Sequence, residues 1–356
     1  MLSRHARLAH ATIAALTLVL AACGSENPAT ATPGPVDTVA DAVTVAPAPA
    51  PPAATTVPAG TTVAAATTAP AATTVDTTTA APANVIVNVW SAATVDPARL
   101  PIGDDYVSTE GPGVGLLYAC SAGNPNAGGA SADGPWINGD GTWNLTAKLA
   151  VQGSVVWEAA QYTESVADGM RTLTTNSLPV ADPTGNFPID SADPAYAYDR
   201  NPGTITAASA TVTLPAAGVV ADSPTCLREG AVGILRNGVF VFNSLDGRGD
   251  DAVAHELQDL CNGHPARTTY HYHNVPNCLR DKAAGASTVV GFAYDGFPIV
   301  VERNESGDLP TNADLDECHG RTSPILLDSE VVTTYHYSAT LEFPYFIGCY
   351  RGTAAV

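Results

Sequence analysis

The tetrapeptide Tyr270-His271-Tyr272-His273 has the spacing in this chain that most directly suggests chemistry. Residues two apart on a β-strand share a face. A strand here would point His271 and His273 one way and Tyr270 and Tyr272 the other. Two imidazoles about 7 Å apart along a strand can grip one metal ion. A second Tyr-His-Tyr stands at Tyr335-His336-Tyr337, while His264 and His319 lie near Cys261 and Cys318. Beyond residue 84 the histidines are His255, His264, His271, His273, His319 and His336, all between positions 255 and 336. Scattered surface histidines would not concentrate in this way. The predicted ligands are therefore His271, His273 and His336, with His264 and His319 as further ligands or supporting groups. Neutral imidazole without thiolate favours copper or zinc. The competing reading is a structural Tyr-His motif whose ring nitrogens are satisfied by carbonyls, carboxylates or water.

Other site chemistries find little support. His255-Glu256 does not open H-E-x-x-H, because Asp259 stands where the second histidine belongs. There is no G-x-S-x-G elbow, phosphate-binding P-loop, G-x-G-x-x-G dinucleotide loop or EF-hand loop. Two alternatives to simple metal binding stay open. One is a metal-assisted hydrolase or oxidase in which Tyr270 or Tyr272 takes part. The other is a non-catalytic cell-surface binding module whose histidines are structural.

The elements that must position these residues occur twice. Asn237-Gly238 aligns with Asp295-Gly296, and Asp259 to Gly263 aligns with Asp316 to Gly320. Thr269 to Tyr272 aligns with Thr334 to Tyr337, and Cys278 with Cys349. Agreement in order at four places indicates an internal repeat. Asn-Gly and Asp-Gly between β-rich runs predict hairpins with type I′ turns, so Asp295 is read as a turn residue. His336 repeats His271, and two copies packed about a pseudo-twofold axis would bring it towards the His271/His273 pair. Ser338 stands where the first copy has His273, so the site would be asymmetric. The repeat also suggests the disulfides: Cys261–Cys278 and Cys318–Cys349 within the copies, leaving Cys120–Cys226. The expected fold class is mainly β, a disulfide-bonded, β-sandwich-like domain with an internal duplication in its C-terminal half.

The rest of the chain sets an address. Arg4 and Arg7 precede a short apolar run that closes on Leu20-Ala21-Ala22-Cys23, which looks like a bacterial lipobox. Residues 1–22 are read as a signal peptide and Cys23 as the lipidated residue. Residues 23–84 are read as a disordered tether of Ala, Thr, Pro and Val, with neither an aromatic nor a Lys or Arg. Its end-to-end distance would be roughly 45 Å. The domain spans 85–353, with a β layer at 85–232 and the duplicated unit at 233–353. An even set of six cysteines beyond Cys23 fits an oxidising compartment. The expected location is outside the cell, on the outer face of a bacterial membrane, with the lipid anchor as the only membrane contact. A net charge of −20 over 356 residues argues against a nucleic-acid partner.

Several segments together resemble a known family. They are Gly134-Pro135-Trp136-Ile137, Tyr198-Asp199-Arg200-Asn201-Pro202, Asn262-Gly263-His264 and Tyr270-His271-Tyr272-His273, followed by Gly291 to Ile299 and Phe343-Pro344-Tyr345 with Cys349. They resemble the YHYH-domain family of exported proteins, named for the tetrapeptide. The resemblance covers most of 85–353. It implies the domain and its export, and it assigns no activity. Ser338 departs from a doubled pattern and puts a second His-x-His arm in doubt.

Overall fold

A computed structural model describes residues 86–90 and 94–355. The expected signal peptide, Cys23 and the tether lie outside the described residues. Among the described residues no helix is long and apolar enough to cross a membrane.

The domain is mainly β, as expected. After two short two-stranded ladders, Leu100–Pro101 with Thr142–Trp143 and Val107–Ser108 with Leu117–Tyr118, a three-stranded antiparallel sheet is formed by β1 (Tyr162–Ala167), β2 (Met170–Thr175) and β3 (Ala210–Pro215). Its strands alternate buried and exposed positions, so Leu173 and Leu214 face the core while paired threonines face water. Arg171 of β2 is buried, stacks 4.1 Å over Phe292 and pairs with Glu164 and Asp328.

The main sheet has eight strands: β4 (Ala231–Leu235), β5 (Phe240–Phe242), β6 (Gly263–Ala266), β7 (Thr269–Tyr272), β8 (Ser287–Ala293), β9 (Pro298–Glu302), β10 (Gly320–Leu327) and β11 (Glu330–Ser338). Their spatial order is β6-β7-β5-β4-β8-β9-β11-β10. Strands β4 and β8 pair antiparallel at the centre, with Phe292 opposite Ile234. Each half then runs outward in the same way: an antiparallel hairpin, a parallel pairing, and a second antiparallel hairpin. The central strands are apolar and buried, as strands covered on both faces must be.

The two inner hairpins differ from the expected type I′ geometry. Only Gly238 and Gly296 take positive φ, at 86° and 85°, while Asn237 and Asp295 do not. Gly238 N–H donates to Leu235 O, and Gly296 N–H to Ala293 O. Each connection is therefore a three-residue loop with a left-handed glycine. The Asn and Asp side chains are directed inward to tyrosines: Asn237 Nδ2 donates to Tyr272 Oη at 3.0 Å, and Tyr337 Oη donates to Asp295.

The outer hairpins share one local device. Asp259 Oδ1 accepts from the N–H groups of Cys261 and Gly263, and Tyr270 Oη donates to its other oxygen at 2.8 Å. In the second half Asp316 Oδ1 accepts from the N–H groups of Cys318 and Gly320 and also from Tyr335 Oη. The disulfides are Cys120–Cys226, Cys261–Cys278 and Cys318–Cys349, the three pairs the repeat suggests.

Candidate metal centre

Strands β6 and β7 form a hairpin in which His264 lies directly opposite His271. Facing residues of an antiparallel pair share a side of the sheet, and so do residues two apart on one strand. His264, His271 and His273 therefore project together. One nitrogen from each lies within 4.8 Å of the others. All three rings are buried, and Phe242 stacks on His271 with centroids 4.0 Å apart.

The hydrogen bonds fix the tautomers of two rings. His271 Nδ1 lies 3.2 Å from the carbonyl of Thr269, and His273 Nδ1 lies 2.6 Å from that of Asn243. A carbonyl can only accept, so both Nδ1 atoms carry hydrogen. In the neutral rings both Nε2 atoms then expose lone pairs, and these stand 3.0 Å apart. Burial, then the neighbouring His273, holds His271 well below the ordinary 6.5, and burial brings His273 down to about 4. A shared proton is thus disfavoured at neutral pH. Neither nitrogen of buried His264 has a hydrogen-bond partner. Two inward lone pairs, with a third that a neutral His264 can turn to them, form a receptor for a cation. Tetrahedral zinc at about 2.1 Å from nitrogen sets ligand atoms roughly 3.4 Å apart, close to the His271/His273 separation.

Glu256 joins the group from another element. The short helix α1 (Ala252–His255) is capped by Asp251 and ends at Glu256. Glu256 Oε2 lies 3.5 Å from His264 Nε2 and 3.9 Å from His273 Nε2. Burial, with Asp199 and Asp246 nearby, pushes its carboxyl well above the usual range. A bound cation would restore its charge. Lys148 Nζ donates to the carbonyls of Val253 and Glu256 and to Gln258 Oε1, which ties down the end of α1. In the sequence Glu256 is weighed only as part of an H-E-x-x-H motif, and that pattern fails. It reaches the histidines by tertiary packing instead.

His336 does not join the cluster, contrary to expectation. It lies on β11 and His271 on β7, five strand spacings away, or roughly 24 Å along the sheet. Two halves lying side by side in one sheet keep their corresponding positions apart. The cross-strand neighbour of His336 is Arg321, where the first half has His264. Glu302 fills the space between, lying 2.8 Å from Arg321 Nη2, 3.1 Å from His336 Nε2 and 2.7 Å from Ser338 Oγ. A guanidinium at this position repels a metal cation. His319 is also outside the cluster: its Nε2 lies 3.0 Å from Thr340 Oγ1, and burial lowers it to about 3. His255 lies between Asp104 and Asp133, 3.0 and 3.1 Å away. Tyr270 and Tyr272 face away from the imidazoles and serve Asp259 and Asn237, so they have no place in chemistry at the cluster.

The histidine cluster opens on a cleft of about 560 Å³ that Glu256 also lines. No curated protein and no solved structure matches the chain. The family model described as YHYH protein matches residues 211–311, a stretch that holds β3 to β9, all three clustered histidines and Glu256. The match ends before the second Tyr-His-Tyr. By that match and by the tetrapeptide within it, residues 211–311 carry a YHYH domain.

Proposed function

We propose that the domain binds one transition-metal ion, copper or zinc, through His264, His271 and His273, with Glu256 as the oxygen donor beside them. The observation that carries this reading is the pair of unprotonated Nε2 atoms facing each other at 3.0 Å. Two lone pairs at that distance repel in a buried site, and a cation between them turns the repulsion into binding. Imidazole and carboxylate donors suit both metals, and the paired cysteines offer no thiolate. The test is elemental analysis after exhaustive dialysis, on the wild type and on the His271→Ala/His273→Ala variant. One equivalent in the wild type and none in the variant is expected. Equal content in both would sink the reading.

A metal-assisted hydrolase is the second reading, favoured by the cleft of about 560 Å³ over the cluster. Three protein nitrogens leave coordination positions for water or a substrate. The matching strand order of the two halves supports reading them as copies of one unit, of which only the first kept its ligands. The domain is further proposed to be exported and held at the outer face of a bacterial membrane through Cys23. Three disulfides fit an oxidising location. Release of a Cys23→Ala variant into the medium would support the anchor, and its retention in the membrane fraction would count against it.

A further inference from the structure

One wall of the cleft has no part in holding a metal. It is built from the Asp199-Arg200-Asn201-Pro202 segment and the turn between β6 and β7. The acidic groups on this side are already engaged. Asp199 accepts from the N–H groups of Asn201 and Leu257, and Asp246 from those of Arg248, Gly249 and Asp250. The two arginines that line the cleft are not. Arg200 touches only the Tyr196 ring, 5.4 Å from its centroid, and the Arg267 guanidinium has neither an ion pair nor a hydrogen bond among the described residues. Arg267 also holds φ at 56°, in the left-handed region uncommon for a residue with a side chain. Its carbonyl accepts from Thr204 N–H at 2.8 Å. Asn201 donates to Pro265 O at 3.0 Å and accepts from Gly203 N–H at 2.8 Å. The arginine-bearing rims are thus fastened to each other and to the strand that carries His264.

We infer that the cleft takes an organic molecule bearing an oxyanion, a carboxylate or a phosphoryl group. One anionic oxygen joins the three imidazoles and Glu256 as a fifth ligand to the metal, and the guanidinium groups of Arg200 and Arg267 hold the others. This rests on the metal reading above. Planar guanidinium forks match the paired oxygens of carboxylate and phosphoryl groups. The domain is strongly acidic, with 31 acidic against 13 basic side chains in residues 85–356, so two unpaired arginines beside one site are out of keeping with its surface. The cleft is larger than a bare ion needs, and Phe242, Leu245 and Pro265 give it an apolar wall for an organic substituent. Asp199, Glu229 and Asp246 also line it against the two arginines, so without the cation the anion would meet net negative charge. Binding must therefore require the metal.

Calorimetry on the full chain tests this with phenyl phosphate, phenylacetate and neutral benzyl alcohol as probes, on zinc-loaded and chelator-stripped protein. Metal content is measured on every sample. At least one anion should bind the loaded protein, and neither should bind the stripped protein or the alcohol bind at all. Which anion binds assigns the phosphoryl or the carboxylate class. The Arg200→Ala/Arg267→Ala variant should keep its metal and lose affinity roughly tenfold or more. Unchanged affinity in that variant, equal binding of the alcohol, or binding to stripped protein would overturn the inference. A loaded chain that binds neither anion overturns it while leaving the metal reading intact. A wild-type chain that holds no metal takes down both.

Discussion

Replacing Glu302 by Gln probes the counterpart of the metal centre in the second half of the sheet. The Glu302 side chain is fully buried and contacts Arg321, His336 and Ser338. Burial alone would raise its carboxyl. Hydrogen bonds and charge from His336 and Arg321 outweigh burial and bring it from the ordinary 4.5 down to about 2. A fall of that size corresponds to about 3 kcal/mol of folding stability. Because the folded-state value is depressed, this stabilisation is fully present above about pH 4.5 and is lost as pH falls through 2. Glu302→Gln removes it and leaves Arg321 and His336 without their anion, which places the cost near the ~3–5 kcal/mol seen when a buried pair loses one partner. Urea unfolding at a series of pH values from 7 to 2.5 measures the difference. At pH 7 the variant should be less stable by about that amount, and the gap should narrow as the solution is acidified. Parallel curves across the whole range would show that the carboxylate is not held by these partners and would refute the reasoning.

Three further outcomes are expected. Arg321→His with Ser338→His recreates the pattern of the first half beside His336, and metal bound per chain should rise from one equivalent to two by elemental analysis. Gly263→Ala places a Cβ on the Tyr270 hydroxyl, so it should cost about 1–3 kcal/mol in thermal unfolding and weaken metal retention. For His255, burial lowers the imidazole, but Asp104 and the other acids around it outweigh burial and raise it to about 9. Its stabilisation is complete below about pH 6.5 and is lost as pH rises through 9. Wild-type stability should therefore fall by about 1 kcal/mol between pH 7 and 10, after screening of the exposed Asp133, and His255→Asn should show no such fall.

Much of the sheet is legible in the residues because its signals are local. Alternation in Tyr270 to His273 puts two imidazoles on one face, and the aligned Asp-x-Cys-x-Gly stretches point to equivalent disulfides. His264 was also within reach. It and His271 are symmetric about the turn at Arg267-Thr268, so a tight hairpin there sets them opposite one another. Glu256 was not, because a short helix 17 positions before His273 carries no periodicity to say which strand it meets. The expectation for His336 failed on topology. Similar sequences predict similar local structure, but whether two such units face each other or extend one sheet is decided by the pairing of β4 with β8.

The bond between Cys261 and Cys278 spans 17 positions and encloses His264, His271 and His273. Every nitrogen donor therefore sits inside one small covalent ring. Opening of the remote strands leaves those donors within reach of each other, whereas a reductant acting on this single bond frees them to separate. On the proposed reading, retention of the ion then follows the thiol–disulfide poise of the surroundings. A molecule carried into a reducing environment would surrender its cargo while most of its architecture still stood.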